Sequence, residues 1–210
     1  MCFNIRIDKT KENIKRRFKA DFATPWFQQQ ETINGFTFPK TPVIAHNQPS
    51  LIQPFTWGLI PFWSKDDTIR QYTLNAKIET LAEKPSFKGA VNNRCPVIAD
   101  GFYEWQWLDP KGKNKQKYLI TLPNDELFAF GGLWSEWVNK DTGEIMHTYS
   151  IVTTQANELM SEIHNSKKRM PVILKPENES DWLEGASTRE FEKIDINLSA
   201  TPIQTNPTLL

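Results

Sequence analysis

Residues 94–107 read Arg94-Cys95-Pro96-Val97-Ile98-Ala99-Asp100-Gly101-Phe102-Tyr103-Glu104-Trp105-Gln106-Trp107. Both halves are dense in β-branched and aromatic residues, and the Asp-Gly pair between them is a tight-turn signal. The pattern predicts a hairpin, with strands over 95–99 and 102–107 and the turn at 100–101. In the second strand the pleat puts Phe102, Glu104 and Gln106 on one face and Tyr103, Trp105 and Trp107 on the other. A carboxylate among aromatics on a strand has two readings. It is buried, with its pKa raised by desolvation, or it lies on an edge strand as an ordinary surface carboxylate. Cys95, within an apolar run, reads as buried and inert.

Outward from this hairpin the signals are mostly of strands. A short strand over 2–7 would tie the terminus into the fold, and further strands are expected at 43–45, 118–122, 127–138, 148–154 and after residue 169. Helical spacing appears at 9–22, where Ile14, Phe18 and Phe22 recur every four residues, and in shorter pieces at 80–84, 86–91, 157–164 and from 181 onward. The basic face of the first helix reads as solvated surface. Six prolines between 25 and 61 break that section into short extended pieces and turns. Short connections favour antiparallel pairing. The expectation is an α+β fold: one β-rich domain over 1–210, its mostly antiparallel strands in a barrel-like core with short peripheral helices, and an extended tail over 185–210.

Composition narrows the function. The 210 residues carry 25 basic and 25 acidic side chains, which argues against a uniformly basic nucleic-acid binder but leaves local patches open. Eight tryptophans and thirteen phenylalanines supply the apolar area for a core. Two cysteines, Cys2 and Cys95, make no disulfide framework, and a reducing, cytoplasmic setting is expected. Charged residues interrupt the first dozen positions, so no secretory signal is expected, and no stretch approaches the roughly 20 apolar residues of a membrane span. His46, His147 and His164 have no metal-ligand spacing, and no phosphate-binding glycine loop or Gly-x-Ser-x-Gly elbow occurs. Neither a metal nor a cofactor is expected.

Met1-Cys2 carries unusual chemistry. A small second residue licenses removal of Met1, leaving a cysteine with a free α-amine of pKa roughly 8 and a thiol of pKa roughly 8.5. An aldehyde can form an imine with that amine, and the thiol can close on the imine to a five-membered ring. The stretch Trp57-Gly58-Leu59-Ile60-Pro61-Phe62-Trp63 is either a core corner or a stacking platform for a base. His164 stands at a helix end beside Lys167, Lys168 and Arg169, cations that favour its neutral form and so a general base.

Met1-Cys2, Trp57-Gly-Leu-Ile-Pro61, Asn75-Ala-Lys-Ile-Glu-Thr80, Arg94–Trp105 and His164…Arg169-Met-Pro-Val-Ile-Leu174 together resemble the SRAP family, the SOS-response-associated peptidases or abasic-site-processing proteins. The matches run in family order over 2–174. The resemblance implies covalent capture of abasic sites in single-stranded DNA, as a thiazolidine on the N-terminal cysteine, with lyase-like chemistry in the DNA damage (SOS) response. It implies that Cys2 is the nucleophile, that Glu104 shuttles protons, that His164 acts on the sugar oxygen, and that Asn75 holds the terminus or the sugar. Lys77 and Arg169 would meet phosphates, Asn4 stands where an arginine usually does so, and Trp57 would stack near the lesion.

There are departures. The family's usual Met-Cys-Gly-Arg opening is Met-Cys-Phe-Asn here, Lys77 replaces an arginine, and five positions instead of two separate His164 from Arg169. The expected partner is single-stranded DNA containing abasic sites, bound by a monomer in the cytoplasm, nucleoid-associated when on DNA. Two alternatives stay open: an N-terminal-nucleophile peptidase that also removes its own Met1, and a non-catalytic single-strand binder.

Overall fold

A computed structural model describes residues 2–193 and 195–204. In chain order the strands are β1 (Asn4–Ile7), β2 (Asp21–Phe22), β3 (Gln30–Asn34), β4 (Lys40–Ile44), β5 (Leu51–Trp57), β6 (Asn75–Lys77) and β7 (Arg94–Ala99). They continue as β8 (Gly101–Trp107), β9 (Lys115–Thr121), β10 (Phe128–Val138), β11 (Ile145–Gln155), β12 (Arg169–Pro171), β13 (Ile173–Leu174) and β14 (Ser199–Ile203). The α-helices are short: α1 (Lys11–Phe18), α2 (Pro85–Lys88), α3 (Glu158–Ile163) and α4 (Glu179–Leu183). Among the described residues no helix is long and apolar enough to cross a membrane.

Five strands close into a barrel. β4 pairs with β5, β5 with β11, β11 with β10, β10 with β7, and β7 returns to β4. Every pairing in the ring is antiparallel except β5 with β11. Closure satisfies the edges that an open sheet would leave unpaired. A second sheet, in the order β14-β9-β8-β1-β3, packs against it, and Ile5, Ile7, Phe102 and Ile120 share one buried core with Val43, Phe55, Val97, Phe130 and Tyr149 of the barrel.

The predicted hairpin is not one. β7 pairs with β4 and β10 in the barrel, whereas β8 pairs with β1 and β9 in the second sheet. Asp100 is a corner between sheets, fully buried, and bonded to β1 instead of closing a two-residue turn. Its carboxylate takes Arg6 Nε at 2.6 Å and the Asp8 backbone N–H at 2.6 Å, and its own N–H reaches the Arg6 carbonyl at 3.1 Å. Gly101 follows because the strands close in there: a Cβ would lie 3.0 Å from Leu119 Cδ1 and 3.3 Å from Arg6 Nε.

Three other expectations change. α1, capped by the Thr10 side chain, ends at Phe18 because Lys19 takes a left-handed conformation, so Phe22 lies in β2 instead of on the helix. Residues 78–80 form only a 3-10 turn, and no α-helix lies between that turn and α2. The tail is not merely extended. It includes a 3-10 turn at Thr188–Phe191, and β14 pairs with β9 over five residues, so the second sheet extends past β9. Residues 205–210 of that tail lie outside the described residues.

Candidate active site

The site is assembled where β1, β6 and β8 meet the turn after α3. β1 lies between β8 and β3, with Asn4 opposite Tyr103 on one side and Asn34 on the other. The Gly35 N–H bonds the Phe3 carbonyl at 2.8 Å, so the pairing continues toward the terminus. Cys2 is fully buried. Its carbonyl accepts from Asn75 Nδ2 at 2.8 Å, and its Sγ lies 3.9 Å from the Asn4 carbonyl. Burial pushes the thiol pKa well up, and the neighbouring Glu104 charge adds to that. The sulfur is therefore a protonated thiol in this environment, not a thiolate.

Glu104 lies on β8, and β8 is an inner strand flanked by β1 and β9. Only 4% of the residue is exposed. Burial raises its carboxyl from the ordinary 4.5 to about 7. The buried reading of this residue is the one the fold supports. A carboxyl with that pKa is present in both forms at neutral pH and can both give and take a proton.

His164 caps the C-terminus of α3, a helix started by the Asn157 side chain accepting from the Met160 N–H. The turn it opens is docked on β8. Asn165 bonds both backbone groups of Trp107, at 3.0 and 2.9 Å, and Gln106 donates to the Glu162 carbonyl at 3.2 Å. His164 Nδ1 lies 2.7 Å from the Arg169 carbonyl. A carbonyl only accepts, so Nδ1 carries the hydrogen and Nε2 the lone pair. Burial lowers the pKa of this imidazole, and the Lys167 and Arg169 charges lower it further. Neutral imidazole is the form a base needs.

Asn75 stands at the start of β6, paired in parallel with Ile151 of β11. With its amide nitrogen on Cys2, its buried Oδ1 has no partner among the described residues. Cys2, Asn75 and Glu104 thus form one cluster. A cavity of about 360 Å³ beside β11 and β12, lined by Thr154, Met170, Pro171 and Glu192 among others, holds none of the four candidate residues. Among the described residues no group of three or more His, Cys, Asp or Glu side chains could hold a metal ion.

The description of the SOS response associated peptidase (SRAP) family matches residues 1–206. The chain belongs to the SRAP family. The abasic site processing protein YoqW of Bacillus subtilis (strain 168) is 50% identical over 190 residues, covering 90% of this chain and 82% of that one. The abasic site processing protein HMCES of Gallus gallus is 33% identical over 176 residues, covering 71% of this chain and 51% of its own length. A crystal structure of a protein from Bacteroides thetaiotaomicron is 34% identical and shares the fold with a TM-score of 0.88, over 97% of this chain and 92% of that one.

For an SRAP chain, four expected DNA contacts sit unevenly. Lys77 is exposed at the end of β6, opposite Thr153. Asn4 is half-buried within β1. Trp57 is fully buried, stacked on Tyr149 and donating Nε1 to the Leu74 carbonyl at 2.8 Å. Its expected stacking on DNA is corrected: it is the core corner, and the exposed aromatics of that stretch are Phe62 (68%) and Trp63 (47%). Arg169 has both terminal nitrogens on Glu79, at 2.5 and 3.0 Å. Glu79 and Asn165 were not singled out in the sequence. A charged residue two positions past Lys77 and an asparagine in a polar turn carry no local signal of the contacts they make.

Proposed function

We propose that this SRAP chain captures abasic sites in single-stranded DNA covalently, through the α-amine and thiol of Cys2 once Met1 has been removed. The observation that carries the reading is the buried cluster at the terminus: Cys2, fully buried and gripped at its carbonyl by Asn75 at 2.8 Å, beside the Glu104 carboxyl, only 4% exposed.

The chemistry then runs as follows. His164 Nε2 accepts the proton of the anomeric hydroxyl and returns it to the ring oxygen as the ring C–O bond breaks, which opens the sugar to its aldehyde and leaves the imidazole neutral again. The α-amine adds to the aldehyde carbon to give a carbinolamine. Protonated Glu104 gives its proton to the carbinolamine hydroxyl, which leaves as water, and an iminium remains. Glu104, now a carboxylate, takes the Cys2 thiol proton as sulfur adds to the iminium carbon. The thiazolidine closes, and Glu104 ends as it began. One water is released overall. The order, amine first and sulfur second, fits a thiol held protonated by burial, and speaks against a peptidase in which a Cys2 thiolate attacks first.

Asn75 Oδ1 is a buried acceptor suited to the amine or a sugar hydroxyl. Lys77 supplies a cation for the backbone. A missing base removes a stacking partner and lets the strand bend, which supplies selectivity by shape. The test is the intact mass of the mature protein before and after incubation with a single-stranded oligonucleotide bearing one abasic site. The expected result is a denaturation-resistant adduct for wild type and none for Cys2→Ala. Wild type forming no more adduct than Cys2→Ala sinks the proposal, as does an undiminished adduct when Met1 removal is blocked.

A further inference from the structure

Five residues, from Asn75 to Glu79, hold two separate parts of the site. Asn75 grips the Cys2 carbonyl at 2.8 Å. Glu79, in the 3-10 turn Ile78–Thr80, grips Arg169 with both carboxylate oxygens, and Arg169 Nη2 also donates to the Thr153 carbonyl at 2.6 Å. Both terminal nitrogens of the guanidinium are therefore engaged by protein acceptors, in the fork geometry that arginine favours.

The peptide of the same arginine faces His164 with two groups. Its carbonyl lies 2.7 Å from Nδ1 and its N–H lies 3.3 Å from the same nitrogen. One requires a hydrogen on Nδ1; the other requires a lone pair there. The shorter contact selects the Nδ1–H tautomer. A modest rotation of this peptide would favour the N–H contact and move the ring hydrogen to Nε2, the nitrogen that must accept a proton. The turn is closed by the Lys168 N–H on the His164 carbonyl at 2.8 Å and the Ala156 N–H on the Lys168 carbonyl at 3.0 Å, yet Lys168, immediately before Arg169, is a non-glycine residue at φ +50°, a conformation that is costly for an L residue.

We propose that Glu79 is a positioning residue for His164: by clamping Arg169 it fixes the peptide that sets the histidine tautomer. This rests on the reading that His164 acts as a base on the sugar.

The test uses Glu79→Ala and Glu79→Asp in the full chain. Nitrogen NMR of labelled His164, recorded without DNA, reports the tautomer directly. Wild type is expected to show hydrogen on Nδ1 only, Glu79→Ala a mixture, and Glu79→Asp a recovery toward wild type. Single-turnover adduct formation at saturating DNA should fall about tenfold in Glu79→Ala, whereas non-covalent binding to single strands, measured in the Cys2→Ala background, should be unchanged in affinity and salt dependence. A unique Nδ1–H tautomer persisting in folded Glu79→Ala overturns the proposal. So does a binding change that accounts for the lost rate. If wild type forms no adduct at all, the capture reading fails, while the tautomer measurement still decides the role of Glu79.

Discussion

The burial that tunes Glu104 for proton transfer also acts on stability. Its carboxyl stands at about 7 in the folded chain against an ordinary 4.5, so the folded state holds the proton more tightly than the unfolded one. Its contribution is full below about pH 4.5 and is lost as the pH rises through 7. The loss is on the order of 3 kcal/mol by pH 8. Glu104→Gln keeps the shape and removes the titration. In urea unfolding at pH 5 and pH 8, the variant should gain on wild type by about 3 kcal/mol over that interval, while its adduct formation slows by roughly 10²- to 10⁴-fold. A gap that does not change with pH would show that Glu104 does not titrate in this window. His164 has the opposite sign: its lowered pKa contributes stability above about 6.5 that is lost as pH falls. Both residues were visible in the sequence as chemistry, but only as alternatives. Whether Glu104 is buried depends on β8 lying between β1 and β9, and strand order is not written in any local pattern. Trp57 illustrates the same limit. Aromatics around Gly58 and Pro61 signal a tight corner, yet nothing local says that Trp57 turns inward while Phe62 and Trp63 turn out.

At the scale of elements, the corner at Asp100 keeps β7 and β8 in different sheets. A buried carboxylate with Arg6 and the Asp8 N–H as partners leaves a partly buried cation behind if it is removed. Arg6 also reaches Asp125, which Lys9 holds at 2.7 Å, so part of its charge stays compensated. Asp100→Ala should therefore cost about 3 kcal/mol, the lower end for breaking a buried pair. Asp100→Asn, which keeps one acceptor, should cost about half as much. Denaturant midpoints at constant m-value measure both, and equal costs for the two variants, each of which removes the charge, would show that the acceptor kept by Asn contributes nothing to the corner. This corner also explains why the strands were legible and their pairing was not. Residues 95–99 and 102–107 are strands by composition, and the Asp-Gly pair is a hairpin signal in isolation. The signal was overridden by a residue 94 positions away: Arg6 bonds the Asp100 carboxylate, and the backbone turns to meet β1. α1 behaves similarly. The four-residue spacing ran on to Phe22, but Lys19 broke the helix and Asp21-Phe22 joined β5.

At the scale of the whole molecule, β1 and β14 lie in the same sheet, and the tail bears on the chemistry through the two strands between them, β9 and β8. Ala200 of β14 sits opposite fully buried Ile120 of β9 and packs on the core. Pro202 sits opposite Tyr118, which is itself opposite Glu104. Ala200→Asp puts a charge at a half-buried position packed against the apolar core, and the cheapest relief is for β14 to lift off. β9 then becomes an edge with unpaired backbone groups, so this variant should self-associate in light scattering where wild type and an Ala200→Ser control do not. The lift also lets water closer to Tyr118 and to the carboxyl beside it, so the Glu104 pKa should fall toward its ordinary value. Repeating the Glu104→Gln comparison in the Ala200→Asp background reads this out: the gain between pH 5 and pH 8 should shrink from about 3 kcal/mol to less than about half of that. If hydrogen exchange shows β9 amides opened and the gain keeps its full size, the burial of Glu104 is supplied by β1 and the barrel alone. The tail would then be a cover for the sheet edge and no part of what tunes the site.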